Sequence, residues 1–204
     1  MSLAILTGMS NRYGANNEYV LAGGGNTSFK EDGVMYVKGS GAQMSDILPD
    51  QFVAMDVNLL REMVSKEYPA EISDDEREEQ ALESMMAARL KGEEAKRPSV
   101  EAILHAVFPY KFVLHLHPAL VNGLTCGKSG EQLCNKLFGD DAVWIKLTKP
   151  GLILAQVCQG VFDESTAKIG IFPRIVILQN HGIFYAIELV YDRIHRSKAF
   201  LRGT

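Results

Sequence analysis

The chain has 204 residues, with 21 Lys and Arg against 25 Asp and Glu, a formal charge of −4 and 47% hydrophobic residues. That length and apolar content suit a single domain over 1–204, while the mild acidity and the lack of a basic stripe exclude nucleic acid as the expected partner. No run of about 18 apolar residues occurs, so no membrane partner is expected, and three cysteines (Cys126, Cys134, Cys158) with no CxxC pair suit a reducing, cytoplasmic setting.

In chain order, residues 1–12 read as a helix running out into Gly14 and Asn16-Asn17. Residues 19–22 are apolar enough for a short strand leading into Gly23-Gly-Gly-Asn-Thr-Ser28. The Glu31-Asp-Gly33 turn makes residues 27–38 a hairpin. A strand over 52–56 and a helix over 58–66 follow. Residues 73–96 carry one long helical pattern, opened by Asp74, Asp75 and Glu76 at the positive helix end. Pro98 ends it, and Ser99 is placed to cap a helix over 100–108. Then come a strand over 111–117, helices over 120–125 and 129–137, strands over 143–147 and 153–157, and a short helix over 164–170. A last strong strand covers 174–179. Residues 188–201 have helical spacing and a basic patch of Arg193, Arg196, Lys198 and Arg202. Strands and helices mixed in this order imply a layered α/β fold.

The chemistry concentrates in Lys111-Phe-Val-Leu-His-Leu-His117. A strand sends alternate side chains to opposite faces, so His115 and His117 point one way and Phe112, Leu114 and Leu116 the other. Two imidazoles side by side on a strand are half of a metal site, and His181, at the end of the next apolar run, supplies a third. A lone histidine is more often a core residue, but a spare pair on one face is costly to bury without a ligand. Three neutral nitrogens on a tetrahedral zinc leave one position open, the pattern of a catalytic site. Glu101 lies one turn before His105, so the two share a helix face. Alone this would read as a surface pair; beside a metal, Glu101 becomes a general base or an exchangeable fourth ligand. The loops Gly23–Ser28 and Lys38-Gly-Ser-Gly41 combine backbone freedom with polar donors that can hold an anion, and Lys38 adds positive charge. Read alone, both are tight turns, and neither matches a nucleotide-binding glycine pattern.

Taken in order, Gly25-Asn-Thr-Ser28, Lys38-Gly-Ser-Gly41, Pro98-Ser-Val-Glu101 with His105, His115-Leu-His-Pro118 and Asn180-His-Gly182 resemble the class II aldolase/adducin family over roughly residues 20–187. The wording of the second and third motifs is closest to the aldolase part of proteins that also carry a short-chain dehydrogenase domain. The resemblance implies a three-layer α/β/α sandwich around a mostly antiparallel sheet. It also implies a homotetramer that splits a phosphorylated sugar, a ketose 1-phosphate, into dihydroxyacetone phosphate and an aldehyde. Carried over by position, His115, His117 and His181 hold zinc and Glu101 is the acid/base residue that also contacts it. Asn26, Ser40, Gly41 and Ser99 hold the phosphate, with Thr27 and Ser28 nearby. Histidine ligands accept manganese or cobalt as well. A pentulose-5-phosphate 4-epimerase, a thiosugar-phosphate dehydratase and a non-catalytic adducin-like scaffold share the fold, and a scaffold has no need of the three histidines and Glu101. A cupin-type oxygenase also uses H-x-H, but Val121 and Asn122 stand near where its glutamate belongs.

Overall fold

Seven short segments rich in β-branched and aromatic residues become strands of one sheet: β1 (Asn26–Glu31), β2 (Val34–Lys38), β3 (Phe52–Asp56), β4 (Phe112–Leu116), β5 (Ala142–Ile145), β6 (Ile175–Leu178) and β7 (Gly182–Ile187). The computed structural model describes residues 2–188 apart from Ala22 and Ala70. All of the expected helix over 188–201 but its first residue, with its basic patch, therefore lies outside the described residues. The strand order is β3-β2-β1-β4-β7-β6-β5. Every pairing is antiparallel except that of β5 with β6, so the sheet is mostly antiparallel as expected.

Seven α-helices are found among the described residues: α1 (Ser2–Gly14), α2 (Val57–Ser65), α3 (Asp74–Ala87), α4 (Ala102–Val107), α5 (Ala119–Thr125), α6 (Gly130–Phe138) and α7 (Leu152–Ile169). They divide between the two faces of the sheet. On one face Leu60, Met85, Leu104 and Phe162, from α2, α3, α4 and α7, pack on Val37, Val53, Val113 and Phe184. On the other, Leu6 and Met9 of α1, Val121 of α5 and Cys134 of α6 pack on Phe29, Phe112, Leu114 and Ile183. Two apolar cores separated by one sheet are the three-layer α/β/α sandwich. No helix among the described residues is long and apolar enough to cross a membrane.

The structure corrects several expectations. Residues 19–21 form no strand; they close a turn on the Asn16 carbonyl, which accepts from the amides of Tyr19 and Val20. The long helix over 73–96 stops at Ala87, although its start carries the Ser73/Glu76 capping box. Beyond it the chain is drawn onto the free edge of β3: Asp56 N donates to Ala88 O and Leu90 N to Ala54 O. The Arg89 guanidinium then braces the turn on the carbonyls of Met86, Glu94 and Lys96. The next helix begins at Ala102, with Glu101 and not Ser99 at its N-cap position.

Residues 153–157, expected as a strand, and 164–170, expected as a separate helix, are both parts of α7. Its buried residues Leu152, Ala155, Cys158 and Phe162 recur every three or four positions. The Glu78 carboxylate accepts from the amides of Leu152 and Ile153, which pins the start of the helix. Finally, residues 182–187 form β7, a strand that no element was expected to occupy and that lies between β4 and β6.

Candidate active site

Three adjacent strands set the site. Asn26 of β1 is paired with His115 of β4, and His115 with Phe184 of β7, so the three side chains stand in one row on the face that carries α4. The β4 alternation is as expected, with Phe112, Leu114 and Leu116 in the opposite core. His115 is fully buried, and its Nδ1–H donates to the Ile183 carbonyl at 3.1 Å. That hydrogen bond leaves Nε2 as the free lone pair, 2.8 Å from Nε2 of His117.

His181 enters from the turn between β6 and β7, where Asn180 takes the left-handed conformation (φ 56°) that Asn tolerates. The three rings lie with centroids 4.7, 4.9 and 5.1 Å apart, and one ligand nitrogen from each falls within 4.8 Å of the others. Two glycines make room. A Cβ at Gly182 would stand 2.4 Å from the Leu116 carbonyl oxygen and 2.7 Å from Cδ2 of His117. At Gly25 (φ +73°) it would stand 2.7 Å from the His115 carbonyl oxygen.

Glu101 is delivered by α4, whose six residues are all buried. A helix this short is not stable by itself. Burial holds it, helped by two basic side chains that donate to its C-terminal carbonyls: Lys30 Nζ to His105 O at 2.6 Å and Arg61 Nε to Ala106 O at 2.8 Å. The Glu101 carboxylate lies 3.4 Å from His115 Nε2 through Oε2 and 3.4 Å from His181 Nε2 through Oε1. Asn26 Nδ2 donates to Oε2 at 2.7 Å, whereas Oε1 is buried without a hydrogen-bond partner.

Burial pushes the Glu101 carboxyl up to about 7, against the pull of the Asn26 hydrogen bond and the Lys38 charge. Burial also lowers all three histidines, His181 to about 4, with neighbouring imidazoles adding to the effect at His115 and His181. The rings are therefore neutral near pH 7 and offer lone pairs, which is the state a metal requires. Clustered neutral Nε2 atoms, a carbonyl holding His115 from behind and an unpartnered buried carboxylate oxygen fit a divalent metal ion.

The residues expected at the phosphate divide into groups. Lys38 is buried, its Nζ donating to Ala42 O at 2.6 Å and to Gly39 O at 3.3 Å, with its pKa lowered by burial. Ser40 and Gly41 are exposed on the loop above it. This loop is laced to the Pro98-Ser-Val-Glu101 segment: Ser40 N donates to Arg97 O and Ser99 N to Lys38 O. Two motifs far apart in sequence thus meet.

Asn26 also belongs to the cluster, its Nδ2 donating to Ser99 Oγ at 3.1 Å as well as to Glu101. Ser28 is fully buried, with its hydroxyl 2.7 Å from His105 Nδ1. Thr27 faces the other way, and its hydroxyl meets Ser10 of α1 at 2.6 Å on the opposite side of the sheet. That placement corrects the expectation that groups Thr27 with the other loop residues, and the strand alternation is the reason. Phe184 carries no chemical signal in the sequence beyond the apolar run after His181, whereas Gly182 belongs to the Asn180-His-Gly182 motif.

A family model described as Class II Aldolase and Adducin N-terminal domain matches residues 10–188. A Bacillus subtilis (strain 168) protein named uncharacterized oxidoreductase YuxG is 28% identical over 184 residues, covering 85% of this chain. The chain spans only 25% of that curated relative's length. Among solved structures, the N-terminal class II aldolase domain of a conserved protein from Thermoplasma acidophilum superposes with a TM-score of 0.77 at 24% identity, over 99% of this chain and 94% of that one. An L-fuculose 1-phosphate aldolase superposes with a TM-score of 0.64 at 16% identity, over 99% of this chain and 83% of that one. These likenesses carry the fold. With the family match over nearly the whole described chain, they give the assignment: this chain belongs to the class II aldolase and adducin N-terminal domain family.

Proposed function

We propose that the chain is a metal-dependent aldolase, one that cleaves a ketose 1-phosphate of the fuculose or rhamnulose 1-phosphate type into dihydroxyacetone phosphate and an aldehyde. The observation that carries this reading is the meeting of three neutral imidazoles with one buried carboxylate, Glu101, 3.4 Å from two of them. His115, His117 and His181 would hold a divalent cation, zinc first by the three-histidine pattern, which would supply Lewis acidity toward the oxygens of the ketose.

The rest falls to the chain's own residues. When the bond between C3 and C4 breaks, the C4 hydroxyl gives its proton to solvent and becomes the aldehyde oxygen, and the electron pair of the broken bond passes to C3. Glu101 delivers a proton to C3, which becomes the hydroxymethyl carbon of dihydroxyacetone phosphate. A carboxyl held at about 7 by burial can both keep and release that proton near neutral pH. The phosphate is assigned to Ser40, Gly41 and Ser99, over the buried charge of Lys38, where it fixes the sugar at a distance from the bond that breaks. The same reading includes a homotetramer with the sites between subunits, and a cytoplasmic setting.

The test is to load untagged protein with zinc, supply ketose 1-phosphates and follow dihydroxyacetone phosphate with a coupled reductase. Release of that product with an aldehyde supports the reading. No release from any ketose 1-phosphate by metal-loaded protein overturns it, and inversion at C4 of a pentulose 5-phosphate would replace it with the epimerase.

A further inference from the structure

Behind Glu101 lies a chain of buried polar groups that the proposed reaction does not itself use. Ser28, His105, Asn26 and Glu101 connect in that order: Ser28 Oγ to His105 Nδ1 at 2.7 Å, His105 Nε2 to Asn26 Oδ1, and Asn26 Nδ2 to Glu101 Oε2 at 2.7 Å. Ser28 and His105 are fully buried, and Asn26 and Glu101 are 5% exposed. At this depth of burial each donor is expected to find an acceptor within the protein, so proton positions can be worked out along the chain.

The Glu101 carboxylate needs a donor, so the NH2 end of the Asn26 amide faces it and the Oδ1 end faces away. Oδ1 can only accept, so the nitrogen opposite it, His105 Nε2, carries the hydrogen. Nδ1 of the neutral ring is then an acceptor, and the Ser28 hydroxyl donates to it. Burial and the Lys30 charge hold the His105 pKa well below its ordinary value, so the ring keeps one proton. The second Asn26 proton goes to Ser99 Oγ, a hydroxyl that can donate as well as accept, so the hydrogen on His105 Nε2 is what fixes which end of the amide faces Glu101.

We infer that His105, backed by Ser28, is a positioning residue: it locks the Asn26 amide so that Glu101 is held by Oε2 beside His115 and presents Oε1 toward His181. The proposal rests on the reading of Glu101 as the acid/base group. It gives Asn26 the work of orienting a carboxylate, whereas the family resemblance places that residue at the phosphate. Without His105 the amide can flip, its oxygen then faces the carboxylate, and Glu101 turns away from the reacting carbon. A carboxyl displaced by about an ångström loses rate on the order of 100-fold.

The experiment compares His105→Leu, which fills the space without a donor, with His105→Gln, whose amide can restore a hydrogen to Asn26 Oδ1. The first readout is NMR of the metal-free protein, with Asn26→Asp used to assign the amide. The unmutated protein should show His105 protonated at Nε2 and slowly exchanging Asn26 NH2 protons. His105→Leu should speed that exchange at least ~10-fold, and His105→Gln should restore slow exchange. The second readout is kinetic: His105→Leu should keep its metal and its KM but lose kcat ~10- to 100-fold, with most of it regained in His105→Gln. A ring protonated at Nδ1, or an Asn26 amide unchanged in His105→Leu, overturns the proposal. So does a rise in KM at unchanged kcat. If the unmutated protein releases no product from any ketose 1-phosphate, the aldolase reading fails, while the NMR comparison still decides the positioning role.

Discussion

The ring of Phe184 lies flat on that of His115, with centroids 4.1 Å and planes 18° apart. The two residues are direct partners across β7 and β4, so strand register sets the stack. Phe184 also lies 5.9 Å from Phe108 and 5.4 Å from His105, between the apolar core and the polar row. Phe184→Ala should therefore do two things. It should cost about 3–5 kcal/mol of stability, as for large cavities in a core. It should also weaken metal binding on the order of 10-fold, because His115 loses the surface that fixes its plane. Urea unfolding and a competitive chelator titration measure the two separately, and undiminished affinity would remove Phe184 from the orientation of His115.

Gly182 is a sharper probe of the same corner, because no core volume is lost. In Gly182→Ala the new methyl would meet the Leu116 carbonyl oxygen at 2.4 Å, a backbone atom with nowhere to retreat, and the His117 ring at 2.7 Å. The pair of strands must separate or the ring must swing away. Loss of tight metal binding is expected, with a drop of a few degrees in the melting temperature; a variant that binds zinc as the unmutated protein does would show that the site tolerates such movement.

Metal and stability should be linked. Zinc at 100 times its Kd should stabilise the fold by about 2.7 kcal/mol, since the three histidines meet only in the folded chain. A chelator should reverse the rise in melting temperature. His115→Ala, His117→Ala and His181→Ala should abolish the response, while Glu101→Gln should keep most of it and lose turnover by a factor on the order of 100 or more. Full turnover in Glu101→Gln would take the carboxylate out of the mechanism.

Lys30 makes stability depend on pH. Burial, reinforced by the nearby Arg61 charge, lowers its pKa from 10.5 to about 7 against the weaker pull of Glu188. Between those values the unfolded chain binds a proton that the folded chain does not, so stability rises with pH across that window and levels off below about 7. One group contributes at most ~1.4 kcal/mol per pH unit. Lys30→Met should flatten the slope, at the expense of an unpaired His105 carbonyl that costs about 1–3 kcal/mol. Urea midpoints at pH 7, 8 and 9 for both proteins test this, and equal slopes would show that Lys30 keeps its charge when buried.

Much of this protein is determined locally and could be read from its residues. The hairpin of β1 and β2 follows from Glu31-Asp-Gly33, and the placing of His115 and His117 on one face follows from the period of a strand. The start of α3 follows from Ser73 and Glu76, because capping and alternation act between near neighbours. What tertiary structure decided lies where distant backbone or a distant core overrode the local signal. The edge of β3 took the chain after Ala87 out of a helix, and the Glu78 carboxylate with a buried face made residues 152–169 one helix in place of a strand and a stub.

The site divides in the same way. Its histidines and Glu101 are visible as residue types with spacing. The insertion of β7 beside β4, which sets Phe184 on His115 and Gly182 against His117, depends on strand order, which no local pattern encodes. Thr27 and Ser28 show the reason in two adjacent residues. Both have hydroxyls in one motif, yet the pleat turns one toward α1 and the other toward His105, and only the packed layers decide which side holds the chemistry.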